Sequence, residues 1–174
     1  MLVPRLRHFA RISQLARMLS IVAAVACSAT IQAAPQRGAL PWKSAGPLAF
    51  GPEGILFVGD AKGATIFAID TEDVAGDREK TSLSLERVGV KIASLLGVEA
   101  EQTLIHDMAV NPSTGSAYFS VSRGRGPDAQ PALIRLTPGG KLELVDVENV
   151  AFSQASLPDA PEDRQSGEGP RRRN

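Results

Sequence analysis

Two stretches carry the architecture: Pro47-Leu48-Ala49-Phe50-Gly51-Pro52-Glu53-Gly54-Ile55-Leu56-Phe57-Val58 and Asp107-Met108-Ala109-Val110-Asn111-Pro112-Ser113-Thr114-Gly115-Ser116-Ala117-Tyr118-Phe119. Each is a short apolar run, a Pro/Gly turn and a second apolar run. Proline presets φ for the first turn position, and glycine tolerates the positive φ that follows. Each copy continues into a third run, Ala64–Asp70 in the first and Ala132–Thr137 in the second. A fourth run closes each copy, Ser82–Val88 and Lys141–Val147. Pro138-Gly139-Gly140 supplies the turn before the last of these. The second and third runs are nearly continuous in apolar residues, as in a sheet covered on both faces. The fourth runs alternate, as suits an outer strand with one wet face.

Four consecutive antiparallel strands, repeated, predict an all-β fold: a β-propeller fragment of about two four-stranded blades. The copies are offset by 60 residues, Ala49 against Ala109. That is longer than the ~40–50 residues of common propeller repeats. The excess includes Val90–Gly97, where Ile92, Leu95 and Leu96 share a helical face and Gly97 is a natural stop, so a short inter-blade helix is expected. Ser122–Pro131, rich in Gly, Pro and Asp, reads as a surface loop.

The expected order is a signal peptide over 1–33, a linker over 34–46, blade one over 47–88, a helix-containing connection over 89–106, blade two over 107–150 and a disordered tail over 151–174. The tail, charged and ending Arg171-Arg172-Arg173-Asn174, lacks the apolar surface to offset its chain entropy. A propeller closes with about four to eight blades, and two alone leave open faces and edges. Truncation of a longer propeller is the favoured resolution, ring completion by self-association the other.

Arg5, Arg7, Arg11 and Arg17 precede the apolar run Met18–Ala29, and small residues lead to Ala33-Ala34-Pro35. This is the order of a secretory signal peptide, with cleavage expected after Ala33, and it predicts a periplasmic or secreted protein. The run is short for a bilayer span, which takes about 20 residues. Cys27 is the only cysteine. It reads as a small hydrophobe in the signal core, with a lipid anchor through Ala24-Val25-Ala26-Cys27 as the alternative. Beyond residue 33 the chain carries 15 basic and 19 acidic residues, and aromatics are 5% of the whole. Neither a basic stripe nor a stacking platform for nucleic acid is in view. A small molecule or protein is the expected partner.

Gly46–Asp60 resembles the start of a blade in the NHL and gluconolactonase-like (regucalcin-like) six-bladed propellers, and the likeness recurs at Asp107–Val121. It covers about residues 44–148. The resemblance implies a propeller that is either a binding module or a Ca²⁺-dependent lactonase or esterase-like hydrolase. The lactonase members hold metal in the central channel with Glu, Asn and Asp side chains from several blades. Here Asp60 and Asp107 are positions of that kind, and Leu40-Pro41-Trp42-Lys43 stands where an early Glu is expected.

His106-Asp107, placed just before an innermost strand, is a candidate metal-ligand or acid/base pair. The plainer alternative has Asp107 capping a turn and His106 on the surface. Asp60 reads as an Asx turn before Lys62-Gly63, or as a Ca²⁺ ligand. Asp70 reads similarly, and Glu72, Asp73, Asp77 and Glu79 as a solvated loop. Arg123 and Arg125, in Ser122-Arg123-Gly124-Arg125-Gly126, are candidates for an anionic ligand, or Arg125 pairs with Asp128. The expected function is an exported propeller-type binding or scaffold protein without activity of its own. The alternatives are the metal-dependent hydrolase and a non-functional remnant.

Overall fold

The structure, a computed structural model, describes residues 35–76, 78 and 85–158. All of these fall within one compact unit, Ala33–Asn174. The expected signal peptide, with Cys27, and the part of the expected tail beyond Pro158 lie outside the described residues. No helix among the described residues is long and apolar enough to cross a membrane.

The Pro/Gly turns form hairpins. Glu53 and Gly54 take positive φ in a 3₁₀ turn over Pro52–Gly54 that joins β2 (Leu48–Phe50) to β3 (Ile55–Asp60). Gly115, also at positive φ, closes the equivalent turn between β5 (Thr103–Val110) and β6 (Ala117–Arg123). β7 (Gln130–Leu136) and β8 (Leu142–Leu144) then follow in order, so the second sheet runs β5-β6-β7-β8, antiparallel throughout.

The first sheet begins in the expected way, β2-β3-β4, with β4 at Thr65–Asp70. Its fourth place is taken by β9 (Val150–Ser156), which pairs Ile69 with Phe152 and Thr65 with Ser156. β1 (Gln36–Gly38) adds a fifth strand on the outer side of β9. These are corrections. Of the run expected as blade one's fourth strand, 82–84 lie outside the described residues, Glu86 and Arg87 make a turn, and Val88 begins the helix. The expected linker contains a strand, and residues 151–156 of the expected tail are sheet. The physical reason lies in the side chains: Val150 and Phe152 alternate inward and both are buried, Phe152 edge-on to Phe67 with ring centroids 6.1 Å apart.

The two sheets pack face to face. Leu56, Val58, Phe67, Ile69 and Phe152 from the first meet Tyr118 and Leu133 from the second. Phe50 lies edge-on to Tyr118 at 5.2 Å. The far face of the second sheet (Ala117, Phe119, Val121, Ala132, Ile134, Leu136) is covered by helix α1 (Val88–Leu96) through Ile92 and Leu96. Gly97 ends the helix in the left-handed region, as expected, with its N–H and that of Val98 closing the last turn. Leu95, expected on the buried face, points outward and is 42% exposed. The layers are therefore sheet, sheet, helix.

Candidate functional site: a charged cleft between the sheets

β4, the loop after it, β8 and the turn before β9 converge on a cleft of about 310 Å³. Its walls include Tyr118, Arg135 and Glu143 from the second sheet, and Arg37, Asp70 and Glu72 from the first. Strand register explains the grouping: Tyr118 and Arg135 are partners across β6 and β7, and Arg135 and Glu143 across β7 and β8. Cross-strand partners share a face, so hydroxyl, guanidinium and carboxylate stand in a row.

Arg135 Nη2 donates to Glu143 Oε2 at 2.7 Å, with both side chains less than a third exposed. Lys141 Nζ reaches the other carboxylate oxygen at 2.9 Å. Lys141 and Arg135 together hold the Glu143 carboxyl below the usual carboxylate range. Burial pulls Arg135 down, but Glu143 and Tyr118 more than offset it, so the guanidinium stays charged. Arg37 closes the rim, donating to Glu72 Oε1 at 2.6 Å and to the Asn149 carbonyl at 3.1 Å. The cleft thus offers two guanidiniums and several carboxylates, with the Tyr118 ring buried in its wall. It suits a small polar ligand that both donates and accepts hydrogen bonds.

Behind it lies a polar knot. Asp73 Oδ2 accepts from Thr114 Oγ1 at 3.0 Å and from Tyr118 Oη at 3.2 Å, and Asn111 Nδ2 donates to the Asp73 carbonyl at 2.6 Å. Asn111, Thr114 and Tyr118 are all essentially fully buried. Gly76 presses on the same turn, where a Cβ would stand 2.7 Å from Thr114 Cα. Asp73, expected in a solvated loop, instead ties the segment after β4 onto the second sheet. Glu72 pairs with Arg37, and Asp77 and Glu79 lie outside the described residues.

Tyr118 is the chain's only tyrosine. Burial pushes its phenol above the ordinary value, the nearby Asp73 charge adds to this, and Arg135 works the other way. Ultraviolet titration of the folded protein is expected to show ionisation above the ordinary pH of about 10, returning there in denaturant. Because the folded state favours the neutral phenol, this group's contribution is complete below about pH 10 and is lost as pH rises through the folded pKa. A native titration midpoint at or below the denatured one would remove burial as the controlling cause.

Of the residues singled out in the sequence, Asp70 and Glu72 line the cleft, whereas Asp60, His106, Asp107, Arg123 and Arg125 lie elsewhere. Asp60 caps the β3–β4 turn by accepting from Gly63 N–H, three residues on, at 2.9 Å, while the Lys62 N–H that the expected Asx turn would use donates to Ser44 Oγ. It also accepts from Lys43 N–H, Ser44 N–H and Ser44 Oγ at 2.6–2.9 Å, which fastens the segment before β2 to the β3–β4 turn. Asp70 accepts from Glu72 N–H. Asp107 accepts from Met108 N–H and, across to the first sheet, from Leu48 N–H, each at 2.8 Å. His106 does not precede β5; it is the extra residue of a β-bulge within it, exposed, with Nε2 2.7 Å from Ser122 Oγ. Arg125 donates through Nε to the Glu101 carbonyl at 2.6 Å, not to Asp128, and Arg123 is exposed. The structure brings Asp60, Asp107 and the two arginines into no common cluster, and among the described residues no three His, Cys, Asp or Glu side chains are grouped to hold a metal.

Tyr118, Arg135 and Glu143 were not singled out. Arg135 inside an apolar strand, with Glu143 eight residues on, was the available signal. Comparison with known proteins returned no matching family model, no matching curated protein and no matching solved structure.

Proposed function

We propose that this chain is an exported binding module built on two β-propeller-type blades, with a small polar ligand held in the cleft between the sheets. The observation that carries the ligand site is the half-buried pair Arg135–Glu143 opening onto the cleft, with the buried Tyr118 ring beside Arg135 in its wall. Burying charge is costly unless partners are arranged for it, and here the arrangement leaves a wall of mixed donors and acceptors facing solvent. The blade reading is supported by the chain-order strands of the second sheet and by the bond from Leu48 N–H to Asp107, which sets the two first strands beside each other. Export is supported by the basic, apolar, small-residue order of residues 1–33.

A polyhydroxy carboxylate suits such a wall, its carboxylate facing Arg135 and its hydroxyls facing Glu143. Sodium gluconate is the probe. Calorimetry on the full chain is expected to show binding with Kd between about 10 μM and 1 mM, and millimolar gluconate to raise the melting temperature. Arg135→Ala is expected to abolish both while Arg125→Ala leaves them intact. Heat of binding that survives Arg135→Ala, or no binding at all, would count against this site.

A further inference from the structure

The β5 bulge creates a pairing of side chains outside the cleft. In the ladder Leu104 lies opposite Ser122, Ile105 opposite Val121 and Asp107 opposite Ser120, with His106 the extra residue. Without the bulge His106 would stand opposite Ser120, which is fully buried. With it, Asp107 takes that place and turns to Leu48 N–H of the first sheet. His106 is left exposed, its Nε2 2.7 Å from Ser122 Oγ. Bulges re-aim side chains in this way, and they are over-represented beside active sites. Neither side chain makes another hydrogen bond among the described residues. Ser122 is half-buried near the end of β6, its backbone held between Leu104 on β5 and Pro131 on β7. Neither His106 nor Ser122 lines the cleft.

We propose that Ser122 and His106 form a nucleophile–base pair that accepts the acyl group of an activated ester. A serine hydroxyl is a weak nucleophile until an adjacent base takes its proton, and the observed separation lies within the reach of about 2.6–3.2 Å that such pairs show. The role requires the ring proton on Nδ1, leaving Nε2 to accept. Ser122 Oγ attacks the ester carbonyl carbon as its proton passes to His106 Nε2. The bond from that carbon to the leaving oxygen breaks, and the alcohol departs with the proton. Acyl-Ser122 remains, and water, deprotonated by the same nitrogen, releases the acid and restores the hydroxyl. Ester and water are the only reactants. Among the described residues no carboxylate orients the imidazole, since Asp107 is held by Leu48 and Met108 N–H. The acceleration therefore belongs at the low end of the general-base range of about 10²–10⁴. The substrates it fits are esters with a good leaving group, such as aryl esters. This inference is independent of the ligand-binding reading.

The test is p-nitrophenyl acetate on the full chain, with release of p-nitrophenolate followed by absorbance and the acid-quenched protein mapped by peptide mass. A serine acetyl ester hydrolyses more slowly than the aryl ester forms it, so the adduct accumulates and release shows a burst. The expected result is an acetyl group on Ser122, formed about a hundredfold faster than in His106→Gln. Ser122→Ala is expected to remove the burst, with circular dichroism and melting unchanged. Should His106→Gln fail to fold, His106→Asn replaces it, and the peptide map of the wild-type chain decides by itself whether Ser122 is acylated. The proposal is overturned by acetylation confined to amines, by Ser122 labelling that is equally fast in His106→Gln, or by a burst that survives Ser122→Ala and disappears in His106→Gln, which marks the imidazole itself as the nucleophile.

Discussion

Phe152→Ala is expected to destabilise the protein by about 3–5 kcal/mol, the range for removing a buried phenylalanine from a core. Phe152 is 4% exposed, lies opposite Ile69 on β4 and meets the Phe67 ring edge-on. Its loss opens a cavity at the centre of the sheet-on-sheet core, and the neighbours cannot all collapse into it. For a unit of this size the melting temperature falls by roughly 10 °C or more. Gln154→Ala, two residues along the same strand at an exposed position, is the matched control and is expected to change little. Urea unfolding followed through Trp42, the chain's only tryptophan and packed against this core, reports both. Equal, small effects would mean that β9 does not belong to the first sheet. The test matters for function because the turn before β9 also builds the rim of the cleft, through Asn149 and Arg37.

Asp73→Ala is expected to cost about 3 kcal/mol. Hydrogen bonds to a charged acceptor contribute about 1.5–3 kcal/mol, and stranding buried donors adds to the loss. Here Tyr118 Oη loses its Asp73 partner, and Asn111 and Thr114 lose the carboxylate that joins them. Asp73→Asn keeps an acceptor oxygen and is expected to recover part of the loss. It also removes a negative charge that raises the Tyr118 pKa, so the tyrosine titration should move downward toward its ordinary value. A carboxylate that merely lay near Tyr118 in solvent would leave both stability and titration where they were. Chemical denaturation together with ultraviolet titration of the same samples separates the two.

His106, Asp107, Arg123 and Arg125 attracted notice in the sequence because their side chains carry chemistry and stand in short clusters. Proximity along the chain did not become proximity of the reactive atoms. At the β5 bulge His106 turns to Ser122 while Asp107 turns to the first sheet, and Arg125 is spent on a carbonyl. Tyr118, Arg135 and Glu143 are scattered over three strands and look like ordinary strand residues until the register sets them side by side.

What the sequence determined by itself was local. Pro52-Glu53-Gly54 and Pro112–Gly115 dictate hairpin turns, because φ is preset at one position and free to be positive at another. Ile92, Leu96 and Gly97 dictate a short amphipathic helix and its end. Apolar periodicity dictates an all-β body with four strands in order in its second sheet. Only the tertiary structure decided which segment completes the first sheet. Leu83 and Leu85 alternate as well as Val150 and Phe152 do, and backbone hydrogen bonds do not distinguish one strand partner from another. The choice falls to side-chain packing: Phe152 lies edge-on to Phe67 on the neighbouring strand, and both close on Tyr118 and Leu133 of the second sheet, a space that does not exist until both sheets are in place.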